Sequence, residues 1–195
     1  WEGPEEKLRE TRFTQPALYA VDVAVWRLLK EKGVEAQFVA GHSLGEYAAL
    51  TASGVWSFET GLALVRRRGE LIQEACEKHP GAMAAVLGLE RKAVEKLCIQ
   101  SSGNGDGADS VEPVNYNAPG QMVVAGTVAA VDRLVASAQS AGAARAIRLN
   151  VFGAFHSRLM RDAARAMAAA LDAVQLAEPA IPVAMNSTGR LARTA

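Results

Sequence analysis

The sequence is poor in the residues on which several functional classes depend. Only two cysteines, Cys76 and Cys98, occur in 195 residues, and both fall in helical patterns that match no metal-ligand spacing. A disulfide scaffold and a cysteine zinc site are thereby excluded, and buried free thiols in a reducing cytoplasm are expected. Net charge is also lacking. The 21 basic residues balance 21 acidic ones, which leaves no electrostatic footprint for nucleic acid or an anionic membrane. No apolar run approaches the ~20 residues that span a bilayer. The first residues, Trp1-Glu2-Gly3-Pro4-Glu5-Glu6-Lys7, do not read as a signal peptide. Histidine is scarce as well, so three residues supply every candidate imidazole base. What remains is a chain long enough to bury a full core, half hydrophobic and rich in alanine, as suits a helix-rich globular protein.

The periodicity predicts a first helix from about Gln15-Pro16 to Lys32, with Leu18, Val21, Val25, Leu28 and Leu29 on one face. Phe38-Val39-Ala40 reads as a strand, Glu46 to Ala52 as a helix, and Phe58 to Lys78 as another, broken by His79-Pro80-Gly81. The pattern then changes. Strand Ala82–Leu89 and helix Glu90–Gln100 precede a Gly/Ser/Asp-rich loop from Ser101 to Ser110. Strands Val111–Asn117 and Gln121–Ala125 flank an Asn-Ala-Pro-Gly turn. Helix Thr127–Ala141 and strand Ala144–Leu149 complete a βαββαβ order, a split ferredoxin-like unit. The predicted fold class is α/β. Residues 1–79 and 150–195 form a larger α/β-hydrolase-like domain with a parallel sheet, and residues 80–149 an inserted ferredoxin-like subdomain.

Chemistry concentrates at Gly41-His42-Ser43-Leu44-Gly45. A serine between two glycines, after a strand and before a helix, is the setting of a nucleophile elbow. A side chain at either glycine is expected to clash as the helix packs back on the strand. The serine oxygen then lies at a helix N-terminus, where free N–H groups can hold an oxyanion. The alternative is a tight turn whose serine only caps the helix. A serine hydroxyl needs a base. His42 adjoins the nucleophile and points away from it, and His79 sits at a helix end. His156 follows Val151-Phe152-Gly153-Ala154-Phe155 and precedes a helix with inner face Leu159, Met160, Ala163, Met167 and Leu171. The positive end of that helix favours a neutral imidazole able to act as base. A buried structural histidine is the competing reading.

Arg68 is exposed by helical projection. At 100° per residue, Leu64, Val65, Leu71, Ile72 and Ala75 form an apolar arc with Arg68 at its centre. A guanidinium aimed at a core needs a partner. No acidic residue shares that arc, and a substrate carboxylate would fit its two-pronged donor set. A structural carboxylate from elsewhere, or a side chain that reaches out to solvent, are the alternatives.

Taken together, Gly41-His42-Ser43-Leu44-Gly45-Glu46-Tyr47-Ala48-Ala49-Leu50 resembles the active-site signature of malonyl-CoA:acyl carrier protein transacylases. Thr14-Gln15-Pro16-Ala17-Leu18, Arg68-Gly69-Glu70, Gly81-Ala82-Met83-Ala84-Ala85-Val86, Asn115-Tyr116-Asn117-Ala118-Pro119-Gly120-Gln121 and Ala154-Phe155-His156-Ser157 agree with it in order. The resemblance implies that Ser43 is acylated, that His156 is the base, and that Arg68 binds the malonyl carboxylate. It implies one oxyanion donor at the Leu44 N–H and pocket positions at Gln15 and Asn117. Phe155 would select malonyl over methylmalonyl by leaving no room for a methyl group. The reaction would be ping-pong, from malonyl-CoA to the phosphopantetheine thiol of acyl carrier protein, with no metal or redox cofactor. A monomeric cytoplasmic enzyme of fatty-acid or polyketide synthesis is expected.

The chain departs from the family at both ends. It lacks the Gly-Gln-Gly-type segment that carries the second oxyanion donor, and it stops short of the segment that orients the histidine. Asn150 and Phe152 stand where Pro and Ser are commoner. The 195 residues therefore look like the middle of an acyltransferase. A polyketide synthase domain and a truncated, non-catalytic carrier-docking fragment are alternatives within this resemblance. A separate reading is a serine esterase of the α/β-hydrolase type, with Asp106 or Asp109 as its acid.

Overall fold

The computed structural model describes residues 3–103 and 108–194. The order is α1 (Glu5–Arg9), α2 (Thr11–Glu31), β1 (Val39–Ala40), α3 (Gly45–Ala52), α4 (Phe58–Lys78), β2 (Ala82–Leu87), α5 (Arg91–Ser101), β3 (Val111–Ala118), β4 (Gln121–Gly126), α6 (Val128–Ala138), β5 (Arg145–Arg148), a 3-10 turn (Arg158–Met160), α7 (Arg161–Asp172), β6 (Val183–Ala184) and β7 (Leu191–Ala192). This is a mixed α/β protein. It divides into two compact units, Trp1–Gln73 with Arg165–Ala195, and Glu74–Ala164.

In the first unit β1 pairs in parallel with β6, with Val39 opposite Val183 and Ala40 opposite Ala184, and β7 adds an antiparallel edge. The parallel sheet expected here is thus one short parallel pair. Helix α2 differs from expectation in two ways. It starts a turn early, at Thr11, so Pro16 lies inside the helix and removes one backbone bond. It also buries the other face. Gln15, Tyr19 and Val23 are buried, whereas Leu18, Val25 and Leu28 are about half exposed. The polar tip of Tyr19 is anchored on the buried side. Its hydroxyl meets Thr51 Oγ1 at 2.7 Å and donates to the Phe58 carbonyl at 3.1 Å, while its ring stacks on Phe58. A buried phenol needs such partners, and they lie on one side only. Gly61 makes the approach possible, since a Cβ there would stand 2.1 Å from the Tyr19 hydroxyl.

In the second unit the antiparallel sheet runs β3-β4-β2-β5. Strand β2 is buried on both faces, which explains its continuous apolar run. Ala82, Ala84 and Val86 point with Met122 and Val124 towards the helical residues Val94, Leu97, Val131 and Leu134. Met83 points with Val123 and Ala125 to the opposite face, where Ala154, Phe155 and Leu159 pack. This alternation is the period-two geometry of a strand, and it seats the His156 loop on the sheet. The predicted β3–β4 hairpin is present, with Gly120 at φ +71 in its turn.

Candidate functional site

Ser43 occupies the turn between β1 and α3 with φ +53. Among the described non-glycine residues, only Ser43 and His156 (φ +63) have positive φ. Such a conformation costs roughly 1–3 kcal/mol and persists only where the surroundings enforce it. The two flanking glycines are not equivalent, which corrects the expectation of a clash at both. A Cβ at Gly41 would sit 2.0 Å from the Gly45 carbonyl carbon, whereas a Cβ at Gly45 meets nothing within 4 Å. Only Gly41 is required by the close return of the chain.

Arg68 reaches this turn from α4. Leu64, Val65, Leu71 and Ala75 around it are buried, as the projection predicts. Its Nη2 donates to Ser43 Oγ at 3.0 Å, and its Nη1 donates to Gln15 Oε1. Gln15 is itself held, donating through Nε2 to Thr11 Oγ1 at 2.6 Å. The guanidinium lies 5.6 Å from the Tyr47 ring centroid. Among the described residues Arg68 forms no ion pair with a carboxylate. Burial lowers its pKa, and the nearby Tyr47 and Glu46 oppose that shift. Tyr47 is shifted upward by its own burial. A structural carboxylate clamp, one of the alternatives for Arg68, is therefore absent among the described residues. Leu44, buried at the start of α3, donates its N–H to no described residue.

Sequence reasoning missed Asn186, two residues beyond β6. Its Oδ1 accepts from Ser43 N at 2.7 Å, and its Nδ2 donates to the Gly41 carbonyl at 2.6 Å. Its own N–H donates to Glu46 Oε1 at 2.8 Å. No local pattern marks it, because the contact spans 143 residues and depends on the register of β6 against β1.

The remaining candidates lie in the second unit. His156 is exposed, so it is not a buried structural histidine. It precedes the 3-10 turn that Ser157 caps, where Ser157 Oγ accepts from Leu159 N at 3.2 Å. The loop is tightly packed, since a Cβ at Gly153 would stand 2.1 Å from Cys76 Sγ. Burial raises the Cys76 thiol to about 11 and the Cys98 thiol to about 12, so both stay protonated and inert at neutral pH. Phe155 is half-buried against Met83, Val123 and Leu159, and Asn117 is exposed at the end of β3. Asp109, one candidate acid of an esterase triad, is held by Thr127 Oγ1 at 2.6 Å and Arg133 Nη2 at 2.5 Å. Those two donors lower its pKa and give it a structural task. Asp106 lies outside the described residues. His42 is exposed beside Leu18, Asp22 and Trp26, and His79 lies near Arg158 and Asp162. Among the described residues no group of His, Cys, Asp or Glu could hold a metal ion. Nor is any helix among them long and apolar enough to cross a membrane.

An acyl transferase domain model matches residues 1–193. The chain belongs to the acyl transferase domain family. It is 43% identical over 187 residues to a malonyl CoA-acyl carrier protein transacylase of Haemophilus influenzae, covering 95% of this chain and 59% of that protein. Two solved structures are similar in fold. One is the malonyl-CoA:acyl carrier protein transacylase of Xanthomonas oryzae, with a TM-score of 0.92 and 44% identity over 100% of this chain and 61% of that one. The other is a type II polyketide synthase acyl carrier protein in complex with its malonyl-transacylase. Its TM-score is 0.92, with 41% identity over 99% of this chain and 62% of the other. The acyl transferase chain thus spans about three-fifths of the length of these relatives.

Proposed function

We propose that this chain carries the acyl-binding and nucleophilic part of a malonyl-CoA:acyl carrier protein transacylase. The observation that carries the reading is Arg68, which forms no ion pair with a carboxylate among the described residues, with its guanidinium 3.0 Å from the hydroxyl of a strained serine. A malonyl group has a thioester carbonyl to react and a carboxylate two carbons away to be held. Arg68 and Ser43 offer one partner for each.

Ser43 Oγ attacks the thioester carbonyl of malonyl-CoA and loses its proton to His156. The Leu44 N–H holds the developing oxyanion. The C–S bond then breaks, and CoA leaves as the thiol with the proton from His156. The phosphopantetheine thiol of acyl carrier protein repeats the sequence in reverse and takes the malonyl group, which frees Ser43. Gln15 orients Arg68, Asn117 contributes to the pocket, and Phe155 limits the size of the acyl α-carbon. The role of His156 follows from the family resemblance, supported by its exposure and positive φ. No metal or redox cofactor enters this scheme, and it suits a monomeric cytoplasmic enzyme.

The finer fold assignment belongs to the same reading. Residues 80–149 form a ferredoxin-like subdomain, supported by the β3-β4-β2-β5 order and two helices on one face. Residues 1–79 and 150–195 belong to an α/β-hydrolase-like domain, supported by the parallel β1–β6 pair and the elbow between β1 and α3. Transfer of labelled malonyl from malonyl-CoA to holo acyl carrier protein, measured with the full-length protein, tests the function. Parallel lines in double-reciprocal plots and loss of transfer in Ser43→Ala are expected. Intersecting lines, or transfer that survives Ser43→Ala, would overturn it.

A further inference from the structure

We propose that Asn186 is a positioning residue for Ser43. Its carboxamide is the clamp that holds the elbow in the left-handed conformation. The inference rests on the reading of Ser43 as nucleophile.

The strain at Ser43 needs a counterweight. Within the turn, Gly45 N donates to the His42 carbonyl and Glu46 N to the Ser43 carbonyl. Neither bond holds the Ser43 N–H, which sits on the strained N–Cα bond, or the Gly41 carbonyl one residue before it. Asn186 takes both. Its acceptor oxygen meets the N–H at 2.7 Å and its donor nitrogen meets the carbonyl at 2.6 Å. A planar amide with one donor and one acceptor edge matches this pair, and an acceptor-only carboxylate does not.

Asn186 is itself fixed from two directions. Its N–H bonds to Glu46 Oε1, and the strand before it is locked by the pairing of Ala184 with Ala40. The Gly189 N–H to Met185 carbonyl bond, at 2.8 Å, closes the turn behind it. The clamp has a second consequence. With its own N–H occupied, Ser43 cannot serve as an oxyanion donor, and the Leu44 N–H, which donates to no described residue, is left for that task. Asn186 thus sets both where the hydroxyl points, towards Arg68, and which amide faces the acyl oxygen.

The test uses the full-length protein with two variants, Asn186→Ala and Asn186→Asp. The aspartate keeps size and the acceptor but puts an oxygen against the Gly41 carbonyl oxygen. Two rates are measured: malonyl transfer, and phosphonylation of Ser43 by a fluorophosphonate. Both variants are expected to lose about 10–100-fold in kcat and in phosphonylation rate, with KM for malonyl-CoA within about threefold of native. Native rates in either variant overturn the inference, as does a rise in KM at unchanged kcat. If the variants do not fold, hydrogen exchange of the Ser43 amide in the native protein decides. Slow exchange supports the clamp and unprotected exchange overturns it. A native protein that is phosphonylated but never accepts malonyl defeats the functional reading and leaves this one standing.

Discussion

Replacing Gly41 by alanine tests the elbow geometry in a way that the symmetry of the Gly-x-Ser-x-Gly pattern does not anticipate. The new Cβ would lie 2.0 Å from both the carbon and the oxygen of the Gly45 carbonyl, and 2.4 Å from Glu46 N. Ordinary contact begins at 3.4 Å, so the chain must move by about 1.4 Å. The obstacle is backbone at the start of α3, so no side-chain rotation can absorb that movement. Overpacking of this kind costs about 1–3 kcal/mol. For a chain of this size it lowers Tm by about 2–12 °C. A displacement near 1 Å at a nucleophile costs about 100-fold in rate. Gly45→Ala is the matched control. Its Cβ meets open space at the first residue of a helix, and alanine restricts the unfolded chain more than glycine does. Thermal melts and Ser43 phosphonylation rates of both variants decide the matter. The expected result is a destabilised, slow Gly41→Ala beside a Gly45→Ala at least as stable as the native protein. Equal losses at the two positions, or a native-like Gly41→Ala, would refute the close return of the chain.

Arg68→Ala is expected to lower kcat/KM for malonyl transfer by about 10²–10³-fold, the loss of one or two charge-assisted hydrogen bonds at ~1.5–3 kcal/mol each. Transfer of an uncharged acyl group should be spared, and an equal fall in both would make Arg68 structural. Phe155→Ser should raise the methylmalonyl to malonyl rate ratio by up to about 200-fold, the range open to one methyl group; an unchanged ratio removes Phe155 from the pocket. Asp109→Asn should destabilise the protein at neutral pH. Thr127 and Arg133 depress the Asp109 pKa, so its stabilisation is present above the ordinary carboxylate range and lost as pH falls through the lowered value. The melting difference from native should therefore shrink on acidification, and a pH-independent difference would contradict the assignment.

The elements legible in the sequence are those with local causes. The elbow follows from glycines around a serine, α4 from its apolar arc, and the β3–β4 hairpin from Pro119-Gly120. Arg68 was visible because projecting one helix shows a charge where apolar neighbours dominate. The misreadings share a different origin. The apolar stripe of α2 is real, but the buried side is the one on which Tyr19 meets Thr51 and Phe58, residues far along the chain. Gly45 looks equivalent to Gly41 in sequence, and only the path of the backbone separates them. Asn186 gives no local signal at all. Its role arises from a two-residue strand pairing that carries it to the elbow.

The central claim is that Ser43 accepts a malonyl group. Incubation of the full-length protein with malonyl-CoA, followed by peptide mass spectrometry without added carrier protein, tests it most directly. The account predicts a malonyl increment on the peptide that contains Ser43, absent from Ser43→Ala and discharged by holo acyl carrier protein. A folded protein that carries no adduct, or carries it on another residue, would contradict it.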